Sequence, residues 1–425
     1  MFKFRIPLVT VLLMGPIAVG CGDDGTTGAA SVLAPPPAGQ GLQIKMTSTL
    51  EAGLETERCM FYRVPAEGLA VNRQEIRYTP GSHHVLLFKT PYTEIPTTTI
   101  DGRSVDTQGV FDCGENGATG DWEIAGVAGG AQSAAGPPGV DGLPSDTAFK
   151  IDGNSLLLVN THYLNASDKP LDAEVYINLF TIPPEQVTRE AGIFFFYNPF
   201  ISVPAGSASV AREVCAVSKD VTLVNAQSHM HRRGVSYTAN LLDASGAQVQ
   251  EIYTSNTWEH VVAKQMNPAL PLSAGQMIDF RCNYMNNEDH TISQGRTTRD
   301  EMCMFLGLYY PKDTKTELCS MTDDWGGRYL AANWIGNGTV GGLQTAGCLQ
   351  AATGDAAAHG DIDACVVNAC PAISAETSSA TRCLASRGLG QCATECGGTD
   401  RAACRTCVGE KCTPAMTALA AAVCP

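Results

Sequence analysis

Positive charge is scarce in this chain of 425 residues, which carries 28 Lys and Arg against 43 Asp and Glu and has a formal net charge of −15. Proteins that bind nucleic acids neutralise phosphates with lysine and arginine. The deficit therefore argues against a nucleic-acid partner, and the acidity is explained most simply as a solubility feature. Two catalytic signatures are also missing from the sequence: the His-Glu-x-x-His helix of zinc peptidases and the Gly-x-Ser-x-Gly elbow of serine hydrolases.

Long apolar runs are scarce too, and the one that stands out lies near the start of the chain. Ile6 to Val19 is too short to be a convincing transmembrane helix. Because the run follows the basic residues Lys3 and Arg5, the pattern is typical of a secretory signal peptide. We therefore expect the protein to be exported.

The apolar run ends at Ala-Val-Gly-Cys21, which resembles the lipobox of bacterial lipoproteins. The resemblance implies that residues 1–20 are a lipoprotein signal peptide and that Cys21 is lipidated. Residues 21–43 are rich in Thr, Gly, Ala and Pro, a composition typical of a flexible tether. We expect the lipid to be the only membrane attachment, in a bacterial cell envelope. Because Gly22 replaces the aspartate linked to inner-membrane retention, the outer membrane or cell surface is favoured. An ordinary signal peptide with an incidental cysteine is the alternative.

The chain has 17 cysteines, and sixteen, an even number, remain when Cys21 is set aside. In an exported protein such cysteines are interpreted first as disulfides and second as metal ligands. Ten of them follow residue 345, and we expect residues 346–425 to form a small disulfide-rich module. The pair Cys404-x-x-Cys407 leaves a zinc site open as the less favoured interpretation.

After about residue 44 the sequence is typical of a β protein. Short apolar runs such as Val85–Phe88 and Phe305–Tyr310 are separated by Gly, Pro, Asn and Asp, and long helical periodicities are missing. The pattern predicts many short strands in sandwiches. Residues 114–147, rich in Gly, Ala and Pro, are expected to be a long surface loop. Thr181–Glu185 is a plausible joint between two halves.

Five of the eight histidines fall in three clusters on or beside apolar runs: His83 with His84, His162 alone, and His229 with His231. Any one cluster is weak support for a metal site, because a lone strand histidine is usually a packed or surface residue. The i, i+2 pair would point to one face of a strand. The adjacent pair would point to opposite faces, so both rings could bind one metal only near a strand end or a bulge.

Met302 strengthens the prediction of a metal site at these clusters. Alone it would be interpreted as a core residue, but beside a histidine pair its thioether suits copper, since soft sulfur favours Cu(I). The sequence then predicts two unlike sites. We call them the all-histidine set (His83, His84, His162) and the histidine–methionine set (His229, His231, Met302).

The ordered motifs "HHVLLF", "THYLN", "HMH" and "DEMC…YYP" resemble the copper type II, ascorbate-dependent monooxygenases. This family includes peptidylglycine α-hydroxylating monooxygenase and dopamine β-monooxygenase. The resemblance covers residues from about 44 to 320, and the order and approximate spacing of all four motifs agree.

The resemblance implies an all-β fold of two tandem, antiparallel, jelly-roll-like sandwiches, which we place at 44–186 and 187–345, ahead of the module at 346–425. It also implies that the two copper sites face each other across a solvent cleft. The disulfides that it implies are Cys59–Cys113, Cys215–Cys319 and Cys282–Cys303.

The resemblance further implies the chemistry. Two copper ions per chain are expected: one on the all-histidine set would store and pass on an electron, and one on the catalytic histidine–methionine set would activate dioxygen. The substrate would be a small molecule hydroxylated at a C–H bond, with ascorbate or a similar one-electron donor as reductant.

Three positions depart from the peptide-hydroxylating branch of this family. Gln227 stands where that branch has an arginine, and Met304 and Leu306 replace an asparagine and a tyrosine. Amidation of glycine-extended peptides is therefore not expected. The departures also keep an alternative open, in which the protein is a surface lipoprotein that binds or sequesters copper without hydroxylase activity.

Overall fold

The computed structural model describes residues 33–114, 117–133, 138–319, 331–352, 359–386, 388, 391–397 and 400–425. The expected signal peptide and the lipidation site Cys21 lie outside these residues. Strands account for 42% of the described residues and helices for 19%, so the predicted β-rich fold class is confirmed. Among the helices that the structure describes, none is long and apolar enough to cross a membrane.

Within the described residues, the N-terminal half contains ten strands: β1 Gly41–Leu50, β2 Glu55–Arg63, β3 Leu69–Tyr78, β4 Ser82–Lys89, β5 Val110–Asp112, β6 Gly126–Ala131, β7 Thr147–Ile151, β8 Leu156–Leu164, β9 Leu171–Thr181 and β10 Arg189–Glu190. They form two five-stranded sheets, in the orders β1-β9-β3-β7-β10 and β5-β2-β8-β4-β6. Every pairing is antiparallel except that of β7 with β10.

Strand β8 shows how the sequence determines its place in the sheet. It reads LLLVNTHYL, and its first eight residues are buried. A strand covered on both faces has a nearly continuous apolar run instead of an alternating one. Strand β8 is the middle strand of its sheet, between β2 and β4, so His162 near its end is held by a rigid element.

In the part of the C-terminal half that the structure describes there are eleven strands: β11 Gly192–Tyr197, β12 Ser202–Val203, β13 Ala208–Ala216, β14 Val221–His229, β15 Gly234–Leu242, β16 Gln248–Ser255, β17 Lys264–Leu272, β18 Met277–Met285, β19 Ile292–Ser293, β20 Met304–Tyr310 and β21 Ala332–Trp334. The two main sheets have the orders β11-β20-β14-β17 and β16-β15-β18-β13-β21, and β12 pairs with β19. Aromatic residues from both main sheets, among them Phe194, Tyr237, Phe280 and Phe305, fill the core between them.

The remaining secondary structure is helical and belongs mostly to the C-terminal module. The helices are α1 Ala118–Asp121, α2 Thr314–Glu317, α3 Gly342–Ala352, α4 His359–Asn368, α5 Ser374–Ala385, α6 Ala393–Gly397 and α7 Arg401–Ala421, with 3-10 turns at Pro184–Gln186 and Pro371–Ile373. The module packs on the edge of a sandwich, where the Trp334 backbone N–H of β21 donates to Ser378 Oγ of α5 at 2.8 Å.

Disulfides close both parts of the chain. The sandwiches contain Cys59–Cys113, Cys215–Cys319 and Cys282–Cys303. The module contains Cys348–Cys365, Cys370–Cys424, Cys383–Cys412, Cys392–Cys407 and Cys396–Cys404. Because Cys404 and Cys407 are both in disulfides, the zinc interpretation of that pair does not hold.

The expectation of a surface loop at 114–147 was wrong. The segment forms α1 and β6, and β6 extends a sheet by pairing with β4. A Cβ at Gly130 would lie 2.4 Å from the Val85 carbonyl oxygen, so glycine is needed for this close pairing. Farther along, Val140 packs in one core with Val224 of the C-terminal half, and Asn225 Nδ2 donates to Gly139 O at 3.1 Å. The segment therefore contributes to the contact between the two halves.

Candidate metal centre

The N-terminal half brings its three histidines together at one end of a sheet. His84 on β4 lies opposite His162 on β8, and the register shifts between Ser82 and His84. This irregularity meets the condition under which adjacent histidines can converge. Ring centroids are 5.2 Å apart for His83 and His84, 5.5 Å for His83 and His162, and 5.4 Å for His84 and His162.

The C-terminal half places His229 at the end of β14 and His231 two residues later, with ring centroids 5.3 Å apart. Met230 between them is fully buried. A Cβ at Gly234 would lie 2.9 Å from Met230 Cβ and Sδ, so the Met230 side chain fills core space against that glycine. The middle residue of the motif is therefore used for packing.

The two histidine groups form one cluster, instead of facing each other across a solvent cleft as expected. His83 has ring centroids 5.3 Å from His229 and 5.7 Å from His231, and His84 lies 5.5 Å from His229. Candidate ligand atoms lie within 4.8 Å of one another in two trios, the all-histidine set and a second trio of His83, His229 and His231. His83 belongs to both trios.

Several ring nitrogens in this cluster fit a metal. His83 Nε2, His84 Nδ1, His162 Nδ1 and His231 Nε2 are buried and have no hydrogen-bond partner. A buried polar atom without a partner is destabilising and calls for an explanation. Burial, followed by the neighbouring histidines, lowers the pKa values of His83, His84 and His231 well below the usual range and that of His229 to about 4. Neutral imidazoles offer the lone pairs that a metal requires.

Glu55 on β2 orients His162. Its Oε1 lies 3.0 Å from His162 Nε2, and it also accepts a 2.8 Å hydrogen bond from the backbone N–H of Thr298. The contact uses one ring nitrogen of His162 and leaves Nδ1 toward the cluster. Carboxylate partners of this kind commonly fix the ring and tautomer of metal-binding histidines.

A loop of the C-terminal half fixes His231. The Glu301 carboxylate accepts from the backbone N–H groups of His231 and Arg233 at 3.0 and 2.7 Å, and His231 Nδ1 lies 3.2 Å from the Asp300 carbonyl oxygen. Burial raises the pKa of Glu301 to about 7, although these backbone donors oppose the rise. Arg233 is itself buried and donates to Thr298 O at 2.9 Å, so it ties the loop to the histidine motif.

Met302 comes directly after Glu301 and is half-buried. Tyr284 donates from its hydroxyl to the Met302 carbonyl oxygen at 2.7 Å, and the next residue, Cys303, is bonded to Cys282. The backbone of Met302 is thus fixed on both sides.

His229 is held from the other half of the molecule. Gln132, which directly follows β6, is 5% exposed, and its Oε1 lies 2.5 Å from His229 Nδ1. Its Nε2 donates to the Ser228 carbonyl oxygen at 2.9 Å.

Four residues that surround the cluster are not among the predicted site residues: Glu55, Gln132, Trp258 and Glu301. The Trp258 ring lies 5.5 Å from that of His83, and both side chains are partly exposed, whereas the other four histidines are buried. The only local signal was the acidic residue beside Met302, in the motif already noted as "DEMC". Of the other histidines, His260 and His290 are exposed and lie in loops.

The fold and the site define a class, a double β-sandwich protein with a cluster of histidines contributed by both halves. Residues 189–326 match the family model of the copper type II ascorbate-dependent monooxygenase C-terminal domain. The matched part of the chain includes His229, His231 and Met302, and the match confirms the resemblance seen in the motifs.

Two solved structures of known proteins are distantly similar to this chain. PNGase F, a glycosylasparaginase from Flavobacterium meningosepticum, is 9% identical with a TM-score of 0.26, over 63% of this chain and 94% of that one. The major capsid protein P2 of bacteriophage PM2 is 10% identical with a TM-score of 0.19, over 63% and 97%. At such TM-scores these likenesses carry no argument about fold or function.

Proposed function

We propose that the protein is a copper-dependent monooxygenase that hydroxylates a C–H bond of a small organic substrate with O2 and an ascorbate-like electron donor. The family matched by residues 189–326 is copper- and ascorbate-dependent. The observation that carries the proposal is the cluster of five histidine rings, two of them within that domain, and four of the five have a buried nitrogen without a partner.

The all-histidine set and the histidine–methionine set would each hold one copper ion. Copper bound there would supply one-electron transfer and the activation of dioxygen. Burial lowers the pKa values of His83, His84, His229 and His231 and so keeps these imidazoles neutral. Glu55, Gln132 and the Asp300 carbonyl group orient His162, His229 and His231, respectively. Burial of four of the five rings also keeps bulk water from most of the cluster.

The residues around the cluster favour a substrate that has no carboxylate group. Gln227, Met304 and Leu306 are buried and uncharged, so none of them can form an ion pair with an anionic group. Trp258 offers an aromatic surface at the partly exposed side of the cluster, beside His83. We therefore favour neutral or aromatic small molecules over glycine-extended peptides.

Oxygen uptake by the copper-loaded protein with ascorbate tests the proposal, screened over phenethylamines, small amides and aromatic hydrocarbons. We expect two coppers per chain and substrate-dependent uptake. Met302→Ile should abolish turnover while the all-histidine copper is retained. Met266→Ile is the matched control, because Met266 is equally half-buried but lies on β17. Unchanged activity in Met302→Ile would refute the assignment.

The alternative is a protein that binds or sequesters copper on the same scaffold. The observation in its favour is the loss, at Gln227, Met304 and Leu306, of the side chains that the peptide-hydroxylating branch uses for substrate. Two tightly bound coppers without substrate-dependent oxygen uptake across the whole panel would favour this function.

We also propose that the protein acts at the bacterial cell envelope, attached only through lipid on Cys21, with a small-molecule substrate and O2 as its partners and no nucleic acid. Cys21→Ser should move the protein from the membrane fraction to the soluble fraction. Continued fractionation with membranes would contradict the lipid anchor.

A further inference from the structure

The contact between Gln132 and His229 joins parts of the chain that are 97 residues apart. Gln132 follows β6 in the N-terminal half, whereas His229 ends β14 in the C-terminal half. Gln132 is 5% exposed and makes hydrogen bonds with both ends of its carboxamide. The contact therefore places a residue of one half against a candidate ligand of the other.

The hydrogen bonds fix the orientation of the carboxamide. The Ser228 carbonyl oxygen can only accept, so the group 2.9 Å from it must be the Nε2 amide of Gln132. The carbonyl oxygen Oε1 then faces His229 Nδ1 at 2.5 Å. Because a carbonyl oxygen cannot donate, Nδ1 must carry the hydrogen, and the lone pair of a neutral His229 resides on Nε2.

His231 is arranged in the same way by its own half of the chain. Its Nδ1 lies 3.2 Å from the Asp300 carbonyl oxygen, and its Nε2 is buried without a partner. In both histidines of the C-terminal motif, Nε2 is therefore the nitrogen whose lone pair is available to a metal. His162 differs, because its Nε2 contacts Glu55 and its Nδ1 is left without a partner.

We propose that Gln132 is a positioning residue that sets the tautomer and ring orientation of His229 across the contact between the two halves. The inference rests on the proposed function in so far as His229 is a copper ligand. The C-terminal half then fixes the tautomer of His231 by itself. The tautomer of His229 is fixed only when Gln132 of the N-terminal half is docked against it. The histidine–methionine set would be completed by docking of the N-terminal half.

The first measurement uses the full chain without metal, labelled with 15N-histidine. Long-range 1H–15N spectra distinguish the two tautomers of each neutral imidazole, and His229→Gln assigns the signals. We expect the Nδ1–H form of His229 in the wild type and a mixture or the Nε2–H form in Gln132→Leu. Gln132→Glu keeps an acceptor toward Nδ1 and should retain the Nδ1–H form.

The second measurement is copper affinity by competition with a chelator. We expect Gln132→Leu to weaken one of the two coppers about 10- to 100-fold and to leave the other unchanged, as is typical when an outer hydrogen-bond partner of a ligand is removed. Gln74→Leu is the matched control, because Gln74 is buried and donates from Nε2 to Ala128 O of β6 at 2.8 Å. It should change neither copper.

Three results would overturn the proposal: a Leu variant that keeps the Nδ1–H form, a Glu variant that loses it, or an equal loss of copper in Gln74→Leu. If the wild-type protein binds no copper, the proposed function fails. The tautomer spectra of the metal-free protein still decide the role of Gln132 in that case.

Discussion

Glu55 Oε1 lies 3.0 Å from His162 Nε2, and both side chains are almost completely buried. Burial alone would raise the pKa of Glu55, but the hydrogen bonds from His162 and from the backbone of Thr298 outweigh it and lower the pKa to about 2. One carboxylate of the N-terminal half thus contacts a candidate ligand and the C-terminal loop that leads to Met302.

Glu55→Leu should therefore weaken copper on the all-histidine set by about 10- to 100-fold, because His162 loses the partner that orients it. Copper affinity and the EPR spectrum of the Cu(II) protein measure the effect. Glu57→Leu is the control: Glu57 lies two residues along the same strand and opposite His162 in the backbone pairing, but its carboxylate accepts from Ala118 N and Asn160 Nδ2. Equal losses in the two variants would indicate a purely structural effect.

X-ray absorption of the Cu(I) protein should show sulfur scattering from Met302 and none from Met230. Met230→Leu, a substitution of similar volume at a fully buried position, is expected to keep the sulfur signal and both coppers. Met302→Ile should lose the signal. Loss of sulfur scattering in Met230→Leu would show that the middle residue of the motif is the ligand.

Removing the Cys282–Cys303 disulfide should affect the metal centre as well as stability, because Cys303 directly follows Met302. The double Ala variant is expected to lose about 2–4 kcal/mol of unfolding free energy and to bind copper more weakly at the histidine–methionine set. Removal of Cys348–Cys365 in the module is the control and should leave copper binding intact. Chemical unfolding and copper competition measure the two effects separately.

Glu213 on β13 is remote from the histidines, and we expect it to make the stability of the protein depend on pH. Burial raises its pKa to about 8, although the Trp334 indole opposes the rise. In the unfolded chain Glu213 loses its proton near pH 4.3, so between about pH 4 and 8 the folded protein binds more protons. Its contribution to stability therefore falls as the pH rises through that window and is level above it.

Glu213→Gln should remove this dependence and raise the unfolding free energy at pH 9 by roughly 1–3 kcal/mol. Urea unfolding at pH 5 and pH 9 gives the comparison. Glu251→Gln, at an exposed position of β16, is the control and should leave both values unchanged. A wild-type protein that is no less stable at pH 9 than at pH 5, relative to Glu213→Gln, would contradict this account.

Much of the fold was predictable because the relevant signals are local. Alternating or continuous apolar runs separated by turn residues predicted the strands, as β8 shows. The order of the histidine motifs was also predictable. The sequence indicated that His83 and His84 could converge only near a strand end or a bulge, but it did not show that a register shift occurs there.

The features that could not be predicted depend on long-range contacts, which composition does not encode. Glycine and alanine in 114–147 suggested an exposed loop, yet there they permit close packing against β4 and the C-terminal half. Gln132 within that segment resembles any polar loop residue until its distance to His229 is known. In residues 346–425 the cysteines predicted a disulfide-rich module, and five disulfides stabilise the helices there.

His83 is a member of both histidine trios, so each of two bound ions would need it as a ligand. A neutral imidazole has a lone pair available on only one of its two nitrogens, and His83 Nε2 is buried without a hydrogen-bond partner. In this arrangement, two ions would compete for one donor. We therefore expect anticooperative loading, with the first equivalent of Cu(I) bound more tightly than the second. In a His83→Ala variant the two binding steps should become independent.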